Sequence, residues 1–379
     1  MLKIVEITDK KEWDGFVFKH GHPLQMWGWG KLKAQSPSWK VVRVFVKNIS
    51  EEELKKKAQY SDVTAAAQIL IRKLPFPLRG FAYIPRGALI LSKKPQERAK
   101  ILAEIAKYCR TQLKPRPVAV SIEPDWEADE TLEQELTKNR WRRAKNTVLI
   151  PRTLILDLTK TEEELMADMT KNNRQLVRKS AEKATVRQLT ESWEIEKALD
   201  IYEETGQRAG FAIHGREYYR NLAKFMGENA PIYGAFIQTE PKTTEIETSD
   251  EETASKTPQT IEKTAESLRA NEELVGFSWI AKSQKTAFEL YGGSNDKGRD
   301  SRANYILKWI VLIQMKNAGI ERYDMNGLLN DGISKFKSHF AHHENMLIGT
   351  WDLPLSKWYF VWSNLLPFGK KIFRLLRRK

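Results

Sequence analysis

The chain has 379 residues, 41% of them hydrophobic and 12 of them Trp, which is enough apolar surface for two domains with sizeable cores and excludes wholesale disorder. Its 63 Lys and Arg outweigh 49 Asp and Glu to give a formal charge of +14, the sign expected of a protein that meets nucleic acid, an anionic membrane face or a phosphorylated substrate. The single cysteine, Cys109, excludes an internal disulfide and a multi-cysteine zinc site and fits the cytoplasm, and no run approaches the ~18 apolar residues of a membrane span.

The first segment, Met1 to Asp9, places Glu6 and Asp9 where a secretory signal needs an unbroken apolar run, so it reads as a β-strand. Strand patterns follow at 41–46, 68–71 and 118–122, and the charged stretch 51–67 predicts a loop or helical excursion. Ile101, Leu102, Ile105, Cys109 and Leu113 share one face of a helix over about 97–113, which buries the cysteine. Arg140 to Lys145 followed by Pro151 reads as a surface connection and sets the main domain boundary near 150. Beyond it come a strand at 154–158 and the capping-box pattern Thr161-Glu-Glu-Glu164, which announces a helix running to Lys183. A helix from near Glu217, strands at 232–237, 275–280 and 287–291, and a helix over 303–318 stopped by Gly319 complete a mixed α/β pattern. The stretch 239–273 holds ten acidic and four basic residues and almost no large apolar one, so it predicts a mobile extension that leaves +20 on the rest of the chain.

Several segments carry chemistry. Leu24-Gln-Met-Trp-Gly-Trp-Gly-Lys-Leu-Lys33 combines glycines that let a backbone approach a ligand, indole faces for a base or sugar, and lysines for phosphate; the same residues also suit a core-facing Trp pair with solvated lysines. Tyr83-Ile-Pro-Arg-Gly87 and Glu123-Pro-Asp125 each end a strand, where mixed sheets place ligand groups or plain turns. Arg174 and Arg178, four apart on one helix and followed by Lys179, could clamp consecutive phosphates or simply be solvated. Arg216 follows a turn and could fork a phosphate. His339, His342 and His343 match no standard zinc spacing, so no metal is expected. There is no nucleophile elbow, P-loop or dinucleotide fingerprint. The tail 367–379 interleaves six basic residues with Phe and Leu, the composition of a helix lying on an anionic membrane surface or of a frayed terminus.

Taken in order, these segments resemble the FemABX family of aminoacyl-tRNA-dependent peptidyltransferases. The resemblance runs through Gln25–Lys33, Tyr83–Gly87, Ile122–Asp125, Pro151–Leu158, the Lys171–Arg178 helix and Arg208–Arg216. It continues through Tyr291–Asn295 with Arg299, Tyr305–Trp309, Arg322–Asp324 and Phe336-Lys337. It implies two tandem GNAT-like α/β domains: 1–150, completed by about 340–379, and 151–339, with the acidic insertion at 239–273. It implies transfer of an aminoacyl group from aminoacyl-tRNA to the stem-peptide side-chain amine of a peptidoglycan precursor, lipid-linked or UDP-linked, without a cofactor, at or near the cytoplasmic membrane face. By resemblance Lys33 and Arg216 match positions holding the precursor's phosphates or uridine, Asp125 lines that cleft, and Trp29, Arg86, Tyr291, Arg299 and Tyr305 join the substrate set. Lys337 and the Phe336 carbonyl match the region beside the transition state, and Arg174, Arg178 and Lys179 would meet tRNA. Asp324 is the candidate to help deprotonate the attacking amine. Two features depart from the family: Ser338 to His343 stand where relatives have a glycine-containing turn, and the acidic insertion stands where some carry a helical hairpin. The alternatives are an acyl-CoA-dependent N-acyltransferase, whose Gly-rich pyrophosphate turn is missing, and a non-catalytic RNA- or membrane-binding relative.

Overall fold

The computed structural model describes residues 1–48, 62–239, 271–329 and 332–364. The expected tail helix at 367–379 and all but the ends of the two expected insertions lie outside them. The mixed α/β class is observed, built on two large sheets.

The first sheet is laid down by β1 (Leu2–Glu6), β2 (Trp39–Asn48), β3 (Val63–Lys73), β4 (Gly80–Pro85), β5 (Leu89–Ile90), β6 (Pro117–Glu123) and β7 (Arg142–Arg143). The second half of the chain contributes β8 (Arg152–Thr153), β9 (Ile155–Asp157), β10 (Thr185–Gln188), β11 (Ile232–Gln238), β12 (Glu272–Lys282), β13 (Thr286–Ser294), β14 (Arg322–Asp324), β15 (Asn345–Met346) and β16 (Trp351–Pro354). The first sheet runs β1-β2-β3-β4-β6-β16-β7 with β5 on β3, and the second runs β10-β11-β12-β13-β14-β9. Thus β16, from the far end of the chain, pairs antiparallel with β6 and β7 inside the sheet begun at the N-terminus. In each sheet one parallel pair, β4 with β6 and β13 with β14, breaks an otherwise antiparallel order.

Four expected elements come out differently, the first being Arg140 to Lys145, read as a surface connection, which carries the buried Trp141 and the edge strand β7. Residues 63–67, read as part of a loop, open the long strand β3, where Ala65, Ala66 and Ala67 are fully buried between helices and neighbouring strands; alanine's weak strand preference hides a central strand that needs small side chains. The helix expected from Thr161 to Lys183 is two, Glu162–Ala167 and Lys171–Ala181, because the Thr170 side chain accepts from the Asn173 N–H and starts a second helix. The strand expected at 154–158 is split at Leu154, β8 pairing with β15 and β9 with β14. The capping box at Thr161 and Glu164 is formed as expected, and Cys109 is fully buried, with its thiol pushed up by that burial.

Candidate functional site

A cavity of about 750 Å³ lies on the first sheet, walled by the Trp27–Lys33 helix, the Arg216–Met226 helix, residues 146–149 and the helical turn at 358–364. Trp29 and Lys33 both face it. The glycines of this segment serve packing, contrary to the reading that they admit a ligand: a Cβ at Gly28 would collide with the Phe225 carbonyl, and one at Gly30 with the Gln68 amide. Close helix contact is what aims the next turn into the cavity. There the Lys33 ammonium donates to the Tyr218 hydroxyl at 2.7 Å and sits 4.5 Å above the Trp29 ring and 5.0 Å from the Tyr218 ring centre. Burial pushes its pKa down to about 8, and among the described residues no carboxylate lies within 4 Å of it. His214, which also lines the cavity, stacks on Tyr218 at 3.9 Å. The Trp29 indole N–H, also buried, has no hydrogen-bond partner among the described residues. An aromatic cage around an uncompensated cation suits an anion with an apolar or planar body.

A second group lies where the two halves meet. Asp125, just past β6, takes a bidentate pair from Arg322 of β14 at 2.7 and 3.0 Å. Burial opposes its ionisation, but Arg322, with His22 and Arg86 nearby, carries the carboxyl well below the usual range. Arg86, 3% exposed, reaches Asp324 at 3.5 Å, and Asp324, wholly buried, also accepts from the Thr153 hydroxyl and the Asn326 N–H. Oδ1 thus takes both short contacts and Oδ2 only the Arg86 guanidinium at 3.5 Å, so this carboxylate, the expected proton acceptor, also clasps the two halves together. His22, Asp125 and Asp324 each offer a ligand atom within 4.8 Å of the others. A divalent cation would nonetheless sit against two guanidiniums that already balance the two carboxylates, and burial pushes His22 down to about 3. This donor set does not suit a metal.

The third group surrounds Lys337 at the end of the Gly332–Lys337 helix. Its ammonium donates to the carbonyls of Met325 and Asn326, the second at 3.2 Å, and stands 3.8 Å from Glu289. Glu289 is itself held by Lys308 and by the Tyr323 hydroxyl at 2.8 Å, so a buried network lies behind the cation. Phe336 packs edge-on to Tyr305 at 5.1 Å and to Phe340 at 5.3 Å, and Ser338–Phe340 form a short 3₁₀ turn where a glycine turn was the family's pattern. Residues 149–150 join this group to the cavity: Leu149 lines the cavity, while Ile150 fills the space beside Gly327, next to Asn326.

A family model described as the FemAB family matches residues 142–285 and 278–367, which is more than half of the chain. The chain belongs to the FemAB family. Two similar curated proteins, both called lipid II:glycine glycyltransferase, from Staphylococcus aureus strains MSSA476 and USA300, are each 22% identical over the full length of both chains. A solved structure called FemX superposes with a TM-score of 0.73 at 18% identity, covering 93% of this chain and 97% of that one. The structure of L-PGS from Bacillus licheniformis superposes at 0.51 and 12% identity, over 96% and 98% of the respective chains. These likenesses agree on the fold.

Within this FemAB-family chain the remaining expected site residues do not gather around one centre. Arg216 is clasped by Glu203, Asp200 and Glu196, with its two shortest pairs at 2.6 Å, so its fork is spent inside the protein. Tyr291 lies in a tyrosine cluster, 5.5 Å from Tyr202 and 5.2 Å from Tyr219, and its hydroxyl meets that of Tyr218, so it alone of these stands behind the Lys33 cage. Arg299 pairs with Asp296 and Glu204, and with Tyr305 it lines a shallow hollow beside the Lys171–Ala181 helix. Arg174 folds back onto the carbonyls of Ala167 and Met169, leaving Arg178 and Lys179 exposed on that helix. Sequence reading missed Tyr218, His22, Glu289 and Lys308. Tyr218 acquires its part only through a lysine 185 residues away, and Glu289 and Lys308 through each other, 19 residues apart on a strand and a helix.

Proposed function

We propose that the protein is an aminoacyltransferase that moves an aminoacyl group from aminoacyl-tRNA to the side-chain amine of a peptidoglycan stem peptide. A lipid-linked precursor is the first acceptor to test. Membership of the FemAB family and full-length likeness to glycyltransferases named for lipid II support the class of reaction. The observation that carries the assignment of the acceptor site is Lys33: a half-buried ammonium, aromatic on two sides and with no carboxylate within 4 Å among the described residues, facing a cavity large enough for part of the precursor. The precursor's phosphate would supply the missing counter-charge.

In the reaction the acceptor amine attacks the ester carbonyl of the donor. The new N–C bond forms, the ester C–O bond breaks with the tRNA hydroxyl as leaving group, and the amine gives up a proton. The ester is already activated, so no covalent enzyme intermediate is needed. The hard moment is the tetrahedral oxyanion, which a fixed cation stabilises by about 3 kcal/mol. In this reading Lys337 is the cation for that part: two backbone carbonyls fix its ammonium at the end of its helix, with Glu289 at 3.8 Å, and the oxyanion would take over one of those contacts. Asp324 in this reading clasps the halves together and leaves the proton to substrate or solvent. Arg178 and Lys179 are exposed on their helix and, with Arg174 folded back, are the two of the expected three that remain candidates for tRNA phosphates.

The test is reconstitution with charged tRNA and either lipid-linked or UDP-linked pentapeptide precursor, read by mass spectrometry of the acceptor. A gain of one aminoacyl residue that requires tRNA is expected, with kcat lowered about 100-fold in Lys337→Ala and the acceptor's KM little changed. No gain across a full set of charged tRNAs would overturn the reading.

A further inference from the structure

The end of the first sheet nearest the cavity is assembled from four segments: 72–80 between β3 and β4, 110–117 leading into β6, 138–143 leading through β7, and 353–364 beyond β16. Their basic residues number three, three, four and one, and none of the segments contains an acidic residue. They are one surface. Leu355 and Ser356 hydrogen-bond to Val118, a Cβ at Gly80 would touch Pro115, and the Phe81 and Trp362 rings lie 5.5 Å apart. Arg110, Arg140, Arg142 and Lys357 line a groove of about 550 Å³ together with Phe360. None of these four cations has a carboxylate within 4 Å among the described residues.

The same surface exposes large apolar side chains. Phe76 is 88% exposed at the tip of the β3–β4 turn, Phe360 50% and Val361 40%, and Trp358 stands beside them. The Arg142 guanidinium lies 5.5 Å from the Phe360 ring centre, so cationic and apolar parts are contiguous. A face meant only for solvent would carry neither the apolar tips nor so one-sided a charge. A face for RNA would want the charge, but gains nothing from an aliphatic Val361 or from Phe76 alone on a turn. Uncompensated cations ringing protruding apolar tips match an anionic bilayer surface, whose phosphates meet the cations while the tips enter the acyl boundary.

We propose that this end of the first sheet, centred on Arg110, Arg140, Arg142, Lys357, Phe76 and Phe360, docks the protein on an anionic lipid membrane. The turn of helix at 358–364 belongs to both surfaces, since Trp362 and Ser363 line the cavity while Phe360 lines the basic groove. Docking there brings the cavity to the lipid surface. The proposal concerns membrane binding alone and stands or falls separately from the transfer reaction.

The full chain is floated with vesicles of phosphatidylcholine containing phosphatidylglycerol and with vesicles of phosphatidylcholine alone. Binding is expected to the anionic vesicles, to weaken with salt, and to fall at least about tenfold in the combined variant Arg110→Gln, Arg140→Gln, Arg142→Gln and Lys357→Gln. Phe76→Ser with Phe360→Ser should also weaken it while leaving the salt dependence in place. Thermal unfolding of each variant controls for folding, and retained turnover of a water-soluble acceptor supports an effect confined to docking. Undiminished vesicle binding by the four-fold glutamine variant would overturn the proposal. So would loss of tRNA binding by that variant with vesicle binding intact, which would make the surface an RNA face.

Discussion

Lys33 shows how much of a binding site can rest on one charge in the wrong solvent. Burial holds its pKa at about 8, against the ordinary lysine value of 10.5. As pH rises through about 8 the free protein therefore loses the proton that an acceptor phosphate needs. Affinity for a diphosphate-bearing acceptor should be flat below about pH 7 and weaken by up to about tenfold per unit above 8. In Lys33→Arg the charge persists and the curve should stay flat to pH 9.5, even if overall affinity drops. Calorimetric titration of the acceptor from pH 6.5 to 9.5 checks this; equal slopes in both proteins would remove Lys33 from the phosphate site. The stability contribution has its own sign. Between about 8 and 10.5 the unfolded chain binds more protons at this residue, so its contribution to the unliganded protein's stability rises with pH across that window. The lysine itself was legible, because Trp, Gly and Lys crowd into ten residues. Its cage was not, since Tyr218 is brought to it only by the packing of two helices.

Among the elements, those with a clear apolar period were readable and those shaped by close packing were not. The helix carrying Ile101, Ile105 and Cys109 and the strands β11, β12 and β13 lie where periodicity places them. The alanine-rich start of β3 and the break before Thr170 depend on what lies across from them, on buried layers in one case and on a local cap in the other. The Trp27–Lys33 helix is the sharpest instance, because its glycines look like ligand loops in sequence and prove to be contact points. Gly28 sits against the Phe225 backbone, which cannot yield as a flexible side chain would. Gly28→Val should therefore push the two helices apart and destabilise the protein by about 2 to 3 kcal/mol, lowering its Tm by several degrees. Because these helices wall the cavity, acceptor affinity should fall with it. An unchanged thermal midpoint would show that the helices do not meet so closely.

Across the whole molecule, the two halves are tied by charge as well as by apolar contact. Asp125 and Arg322 stand 197 residues apart and meet in a bidentate pair, and Arg86 adds a single longer contact to Asp324, at 3.5 Å, deeper in the interface. The FemABX motifs had singled out Asp125, Arg86 and Asp324 one at a time; that they neutralise one another across the halves is a property of the assembled fold, invisible to spacing along the chain. The pair is partly solvated, with side chains 26% and 20% exposed, so Arg322→Ala should cost about 2 kcal/mol, less than for a fully buried pair. Most of that cost is the stranded carboxylate. Asp125→Ala combined with Arg322→Ala should then be less damaging than the sum of the single changes, with a coupling of about 1 to 2 kcal/mol. The pH dependence follows from Asp125's depressed folded pKa. The pair's stabilisation is present above the ordinary Asp range and lost as pH falls through the folded value, so the gap between wild type and Arg322→Ala should persist at neutral pH and narrow as pH falls through the carboxylate range. Denaturant unfolding of the four proteins of the cycle at pH 7 and at steps from pH 4 down to pH 2 measures both quantities. Additive losses, or a gap that widens on acidification, would mean that the halves are held by apolar contact alone.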